Sequence, residues 1–120
     1  MTPTNMKSVI RDARKRAKNK GIDFTITVDD VLRALHEQNG RCAVSGVTFR
    51  ESDFSPNPYG MSLDRIKSEY GYTPKNTRLV THFVNNALSV WPDHVFKDML
   101  MRLALKAMMN PEAWDKTLAR

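Results

Sequence analysis

The chain has a single cysteine, Cys42, in 120 residues. No internal disulfide can form, and a zinc site made of cysteines cannot be assembled from this chain alone. No apolar run approaches the length needed to span a bilayer, and the N-terminus lacks the charged-then-apolar pattern of a secretory signal. These absences predict a reducing, cytoplasmic setting with no membrane contact. Internal repeats, low-complexity tracts and linker-like stretches are also missing, so a single domain over 1–120 is expected. An apolar fraction of 41% is enough for such a domain to fold around a core.

Positive charge is in excess, +6 overall, and it is confined. Lys7, Arg11, Arg14, Lys15, Arg16, Lys18 and Lys20 are interrupted by one acid, Asp12, whereas the rest of the chain has twelve basic and twelve acidic residues. A solvated helix face usually mixes signs. Clustered cations instead gain from counterion release on a polyanion, which marks Lys7, Arg11, Arg14, Lys15 and Lys18 as candidate nucleic-acid contacts. DNA is the expected partner; RNA and a protein partner remain open.

The hydropathy pattern predicts an α+β, mainly helical fold. Met6, Val9, Ile10, Ala13 and Ala17 recur at helical spacing up to Gly21. Phe24–Thr27 reads as a short extended segment. Thr27, Asp29 and Asp30 then start a second helix, with Val28, Val31, Leu32 and Leu35 as its buried face, ending at Asn39-Gly40. A tight turn is expected around Ser45-Gly46 and a loop over 50–60. Met61–Ile66 and Thr77–Val80 read as strands, joined by the loop KSEYGYTPKN. A helix follows from about Thr81 until Pro92 interrupts it. Beyond lies a longer helix with Val95, Phe96, Met99, Leu103 and Leu105 as core candidates, and a last short one begins at Pro111 and carries Trp114 and Leu118. The divisions are a basic helical part over 1–40, a central core over 41–90 and C-terminal helices over 91–120.

The chemistry-bearing residues fall in MSLDRIKSEYGYTPKNTRLVTHFVNNALS, residues 61–89. Its order is strand, loop, strand, helix, with Asp64 on the first strand, Asn76 closing the loop and Asn85 on the helix. Taken singly, Asp64 reads as a strand-end turn acid and Asn76 as a loop residue. Together SLDRI, GYTPKNTRLV and an Asn nine residues after Asn76 resemble the HNH (ββα-metal) endonucleases, in particular small phage-type members. The wider likeness starts at the basic helix, passes through NGRCAVSG at 39–46 and ends near Ser89.

The resemblance implies one divalent ion held by Asp64 and Asn85, hard oxygen donors suited to Mg2+ or Mn2+. It implies that Asn76 braces the loop and the general base. Two departures stand out. The residue after the metal-binding acid is typically His in active members, and here it is Arg65, a cation that cannot act as an ordinary base. Arg65 could instead stabilise charge. His82, three residues before Asn85 on the same helix, is the candidate replacement base or else a surface histidine; Tyr70 and Tyr72 could also approach from the loop. The second departure concerns the paired cysteines that many relatives use for structural zinc. Here Cys42 is followed by Ser45, and Thr81 and Val84 stand where the second pair would fall, so no structural zinc is expected. Val44, Phe49, Leu79, Phe83 and Val84 are the apolar residues available in its place, with Cys42 a small buried hydrophobe. Leu88 stands where relatives often carry Lys. The expected function is metal-dependent endonuclease action on DNA phosphodiester bonds, and the likeness to phage-type members implies a phage-encoded protein in a bacterial host cell. The alternative is a catalytically inactive HNH-like module that binds nucleic acid or a protein.

Overall fold

Helix α1 (Pro3–Lys20) forms where the apolar spacing predicts it, and Met6, Val9, Ile10, Ala13 and Ala17 are all buried. It stops at Gly21, whose φ of 65° lets the chain reverse. The Ile22 N–H donates to the Ala17 carbonyl (2.8 Å) and the Gly21 N–H to that of Lys18 (3.3 Å), a Schellman closure. Helix α2 (Val28–Glu37) is entered through a capping box. Thr27 Oγ1 accepts the Asp30 N–H, and the Asp30 carboxylate accepts the Thr27 N–H at 2.9 Å. That backbone bond holds the Asp30 carboxyl below its ordinary pKa.

The computed structural model describes residues 3–89 and 91–119. Beyond α2 the order is β1 (Met61–Arg65), a 3-10 turn at Pro74–Asn76, β2 (Thr77–Thr81), α3 (His82–Leu88), α4 (Asp93–Met109) and α5 (Pro111–Leu118). The fold is α+β, with five helices and one two-stranded antiparallel sheet among the described residues. Contacts divide the chain into two compact units, Met1–Asn86 and Ala87–Arg120. No helix among the described residues is long and apolar enough to cross a membrane.

In the first unit the sheet register pairs Met61 with Thr81, Leu63 with Leu79 and Asp64 with Arg78. Side chains alternate across a strand, so Met61, Leu63, Leu79 and Thr81 share one face, and Ser62, Asp64, Arg78 and Val80 the other. α1 packs on β1 and α2 on β2. The outward-facing peptide groups of the Leu63–Leu79 pair are closed by side chains. Arg16 donates to the Leu63 carbonyl (3.1 Å). The Gln38 amide accepts the Leu79 N–H (3.0 Å) and donates to the Leu79 carbonyl (2.9 Å), which also accepts from Ala43.

The segment at Phe24, read as extended, bridges to Tyr72, with Thr25 N–H donating to the Tyr72 carbonyl and Tyr72 N–H to that of Asp23. Gly71 lies so close that a Cβ there would meet the Asp23 carbonyl oxygen at 2.8 Å. Other expectations need correction. Leu32 is exposed because α2 buries only the narrow stripe around Val31. Val44 and Phe83 are also exposed, leaving Phe49, Leu79 and Val84 as the buried members of the expected substitute core.

The second unit is a helical hairpin. Asn110 joins its helices, its side chain accepting the Ala113 N–H at 3.1 Å with Pro111 opening α5. Met99, Leu103 and Leu105, read from sequence as core, are exposed, and neither α4 nor α5 has a buried residue. Two helices offer each other one face only, and α4 has apolar residues on several.

Replacing Gln38 by Ala should strand the Leu79 N–H at the sheet edge. The expected loss is about 1–3 kcal/mol of stability in urea unfolding; a change within a few tenths would mean that Gln38 does not close this edge.

Candidate metal centre and nucleic-acid interface

Asp64 and Asn85 reach the same face of the hairpin by different routes. Strand alternation places Asp64 beside Ser62 on that face. Asn85 arrives from α3, its Nδ2 donating to Ser62 Oγ at 2.9 Å. That bond orients the amide so that its carbonyl oxygen points away from Ser62. Asp64 is mostly covered and accepts from Arg78 Nε at 2.9 Å, a cross-strand ion pair. Among the described residues no group of three or more His, Cys, Asp or Glu side chains is placed to hold a metal ion. The donor set here is one carboxylate and one amide oxygen.

Asn76 does what a loop brace requires. Its Oδ1 accepts the Lys67 N–H (3.0 Å), and its Nδ2 donates to the carbonyls of Lys67 (3.1 Å) and Gly71 (2.9 Å). Its own carbonyl accepts the Ile66 N–H at 2.8 Å. Both ends of the loop between the strands therefore converge on one side chain, and β1 ends at Arg65, one residue before the expected Ile66.

Arg65 lies on the opposite sheet face from Asp64. Its Nη1 donates to the carbonyls of Ser68 (2.6 Å) and Tyr70 (3.2 Å), and its guanidinium lies 5.4 Å from the centre of the Tyr72 ring. Tyr72 is buried against Phe24, and Tyr70 is exposed. Arg65 is thus engaged in holding the loop, and the structure does not bring it, Tyr70 or Tyr72 to the Asp64 face.

His82 is also elsewhere. Its N–H donates to the Gly60 carbonyl, which sets it opposite Gly60, four strand positions from Asp64 and roughly 13 Å along the hairpin. Its imidazole is half-buried in a pocket with Ser8 and Asp12 of α1 and with Arg50, Glu51 and Asn57 of the preceding loop. Burial lowers its pKa below the ordinary value, and Arg16 lowers it further against an opposing pull from Asp12. His36 and His94 are exposed.

Positions 42, 45, 81 and 84 are linked by hydrogen bonds. Cys42 is buried, and its sulfur accepts the N–H groups of Ser45 (3.5 Å) and Thr81 (3.4 Å). Thr81 Oγ1 in turn accepts the Val84 N–H at 3.3 Å. Burial pushes the Cys42 thiol up, and the bonds from Ser45, Thr81 and Val44 outweigh it, so its pKa lies below the ordinary value.

On α1, Lys7, Arg11, Arg14, Lys15 and Lys18 are exposed on the side away from the buried stripe. Lys7, Arg11, Arg14 and Lys18 recur at i, i+4, i+7 and i+11, a straight row about 16 Å long. Arg14 also lies over the Phe24 ring, 5.3 Å from its centre. Arg16 departs from the row and points into the fold.

Sequence reasoning missed Arg78, Ser62 and Gln38. The first two alternate with apolar neighbours on the strands, but Arg78 meets Asp64 only through the hairpin register, which no short-turn signature fixes, and Ser62 meets Asn85 only through the path of α3. Gln38 gives no such signal. No protein-family model, curated protein or solved structure matches the chain.

A histidine with a folded pKa below its unfolded value disfavours the fold once the unfolded chain begins to protonate. Stability should therefore fall as pH drops below about 6.5, and this loss should vanish in His82→Gln. Denaturant midpoints between pH 7.5 and 5 give the check; parallel curves for both proteins would contradict the buried placement of His82.

Proposed function

We propose that the chain is an HNH-type, metal-dependent endonuclease acting on DNA phosphodiester bonds, with residues 41–90 as its ββα-metal core. The observation that carries this reading is the convergence of Asp64 and Asn85 on one face of a strand–strand–helix unit, with Ser62 fixing the amide. Two further features support it. Asn76 ties the inter-strand loop as the family's middle Asn does, and positions 42, 45, 81 and 84 form one bonded cluster.

The donors fit a hard divalent ion. A carboxylate and an amide oxygen suit Mg2+ or Mn2+, which keep several waters and need few protein ligands. Such an ion, when bound, supplies a Lewis acid for the phosphate and a water of lowered pKa. The chain's own residues then divide the remaining work. Arg78, beside Asp64, is the cation placed to meet phosphate charge, a task the sequence assigns to Arg65. The row on α1 holds the duplex by its phosphates, as a clustered cationic face with balanced charge elsewhere favours. Asn76 acts as a positioning residue through the loop.

A second reading is favoured by a specific observation. Arg78 occupies the Asp64 carboxylate, while Arg65 and His82 both point away from that face. A module so arranged binds DNA without cutting it. Plasmid nicking in Mg2+ or Mn2+ separates the two: nicking that stops with chelator and in Asp64→Ala supports the nuclease. Wild-type protein that binds DNA but leaves the plasmid intact would replace it with the binding module. Asp64→Ala should also abolish calorimetric Mn2+ binding with the helical circular-dichroism signal retained.

Changing Lys7, Arg11 and Lys18 to Gln leaves the Arg14–Phe24 contact untouched and should weaken DNA binding across sequences. The slope of log affinity against log salt should flatten by about one unit per lost phosphate contact. An unaltered slope would mean that the row faces something other than phosphate.

A further inference from the structure

Three arginines engage the hairpin and its loop, and they are used differently. Arg16 donates to the Leu63 carbonyl and Arg65 to the carbonyls of Ser68 and Tyr70, so both are tied to backbone. Arg78 is tied to an acid. Its Nε donates to Asp64 Oδ2 at 2.9 Å, and among the described residues its Nη1 and Nη2 make no hydrogen bond. A guanidinium that meets a carboxylate with two parallel N–H groups makes the stronger pair. Here one N–H of five is used, and the outer ones remain for a second oxyanion. The Arg78 side chain is 29% exposed, so such an anion can reach it, whereas that of Asp64 is 14% exposed.

Strand alternation puts Ser62, Asp64, Arg78 and Val80 on this face, so its strand charges are one acid and one base. The cavity that Arg78 helps to line also carries Asp30, Arg33 and Glu37 of α2. Among the described residues none of the three is paired with Arg78, and Asp30 is bonded to Arg33 at 3.4 Å. The Asp64–Arg78 pair sums to zero charge, and a dication near it feels the guanidinium as well as the carboxylate. A phosphodiester reverses the balance. It takes the outer N–H groups in fork geometry, competes with Asp64 for the same cation, and adds a negative charge of its own.

We infer that Arg78 couples the two ligands of this site: it holds the Asp64 carboxylate against a metal ion until a DNA phosphate takes its guanidinium, so that the divalent ion is acquired with the phosphodiester and not ahead of it. The inference rests on the metal-centre reading above and adds an order of binding to it. Arg78 exchanges between two oxyanions, and each position of its guanidinium favours one occupancy of the site. In the paired position the apparent affinity for the ion is reduced to the fraction of carboxylate left accessible, and phosphate removes that reduction. By linkage, affinity for DNA rises by the same factor when the ion is present.

The test reads binding, not cutting, on the full chain. Mn2+ affinity is titrated by calorimetry without DNA. Arg78→Gln should bind Mn2+ about tenfold more tightly than the wild type, since nothing then competes for the carboxylate, and Arg78→Lys, which keeps the charge, should stay near the wild type. Affinity for a fluorescent phosphorothioate duplex, which keeps the backbone charge and slows any cleavage, is then measured by anisotropy with and without Mn2+. Screening by the ion acts alike on all variants. The gain from Mn2+ should be about tenfold larger in the wild type than in Arg78→Gln, and absent from Asp64→Ala. Equal Mn2+ affinity in wild type and Arg78→Gln, with equal gains on DNA, overturns the inference and leaves the metal centre standing. Unchanged Mn2+ affinity in Asp64→Ala overturns the metal centre, and the inference with it. If Arg78→Gln loses its circular-dichroism signal, the comparison with Asp64→Ala decides. A wild type whose DNA affinity responds to Mn2+ no more than that variant's does has no such coupling.

Discussion

A two-stranded sheet has two open edges and little stability of its own, and the first unit depends on how those edges are closed. The closure is made at one residue pair. On the β1 side the Arg16 guanidinium takes the Leu63 carbonyl, and on the β2 side the Gln38 amide engages both polar groups of Leu79. The two side chains belong to α1 and to the end of α2, so the same bonds that close the sheet fasten it to both helices. Gln38 also donates to the Arg41 carbonyl at 2.7 Å, which brings in the turn leading to Cys42. Three chain segments far apart in sequence are thereby referred to one cross-strand residue pair.

That fastening sets the candidate site. With the Leu-bearing face committed to helices, the other face is left for Ser62, Asp64 and Arg78, and α3 follows β2 closely enough for Asn85 to reach it. The loop between the strands is controlled separately, by Asn76 from one side and Arg65 from the other. The division explains why Arg65 does not share the face of Asp64: a residue adjacent on a strand points the opposite way, and here the opposite direction meets loop carbonyls to which a guanidinium binds well. The acid, the amide and a neighbouring cation are assembled, and the imidazole is kept at the far end against α1.

Much of the fold was legible because its signals are local. The α1 stripe, the Thr27 cap, Gly21, the two strands and Pro111 each announce themselves within a few residues. Three kinds of information were not. The register that puts Asp64 opposite Arg78 depends on the long loop, whose geometry is set by Asn76 bonds that no periodicity displays. The direction of Arg16, inward among outward neighbours, depends on an unpaired carbonyl 47 residues away. The apolar residues of α4 read as core because periodicity reports what should be buried and not whether a partner within the chain buries it. Of the candidate site, the sequence singles out Asp64, Asn76 and Asn85 by a resemblance and puts Ser62 beside Asp64 by strand alternation, whereas Arg78 as the partner of Asp64 emerges only from the pairing.

Gly71 shows that exposure is a poor guide to which positions evolution can vary. It sits half-buried in a loop, meets the site only through the carbonyl that accepts Asn76 Nδ2, and would pass as neutral ground in a mutational survey. Yet any side chain there would collide with the backbone oxygen of Asp23, an obstacle that cannot rotate aside. A substitution would push apart the Asp23–Tyr72 pairing, and with it the seat of the ring over which Arg65 lies. Among the codons available to this gene, position 71 is therefore closed for a reason of space alone.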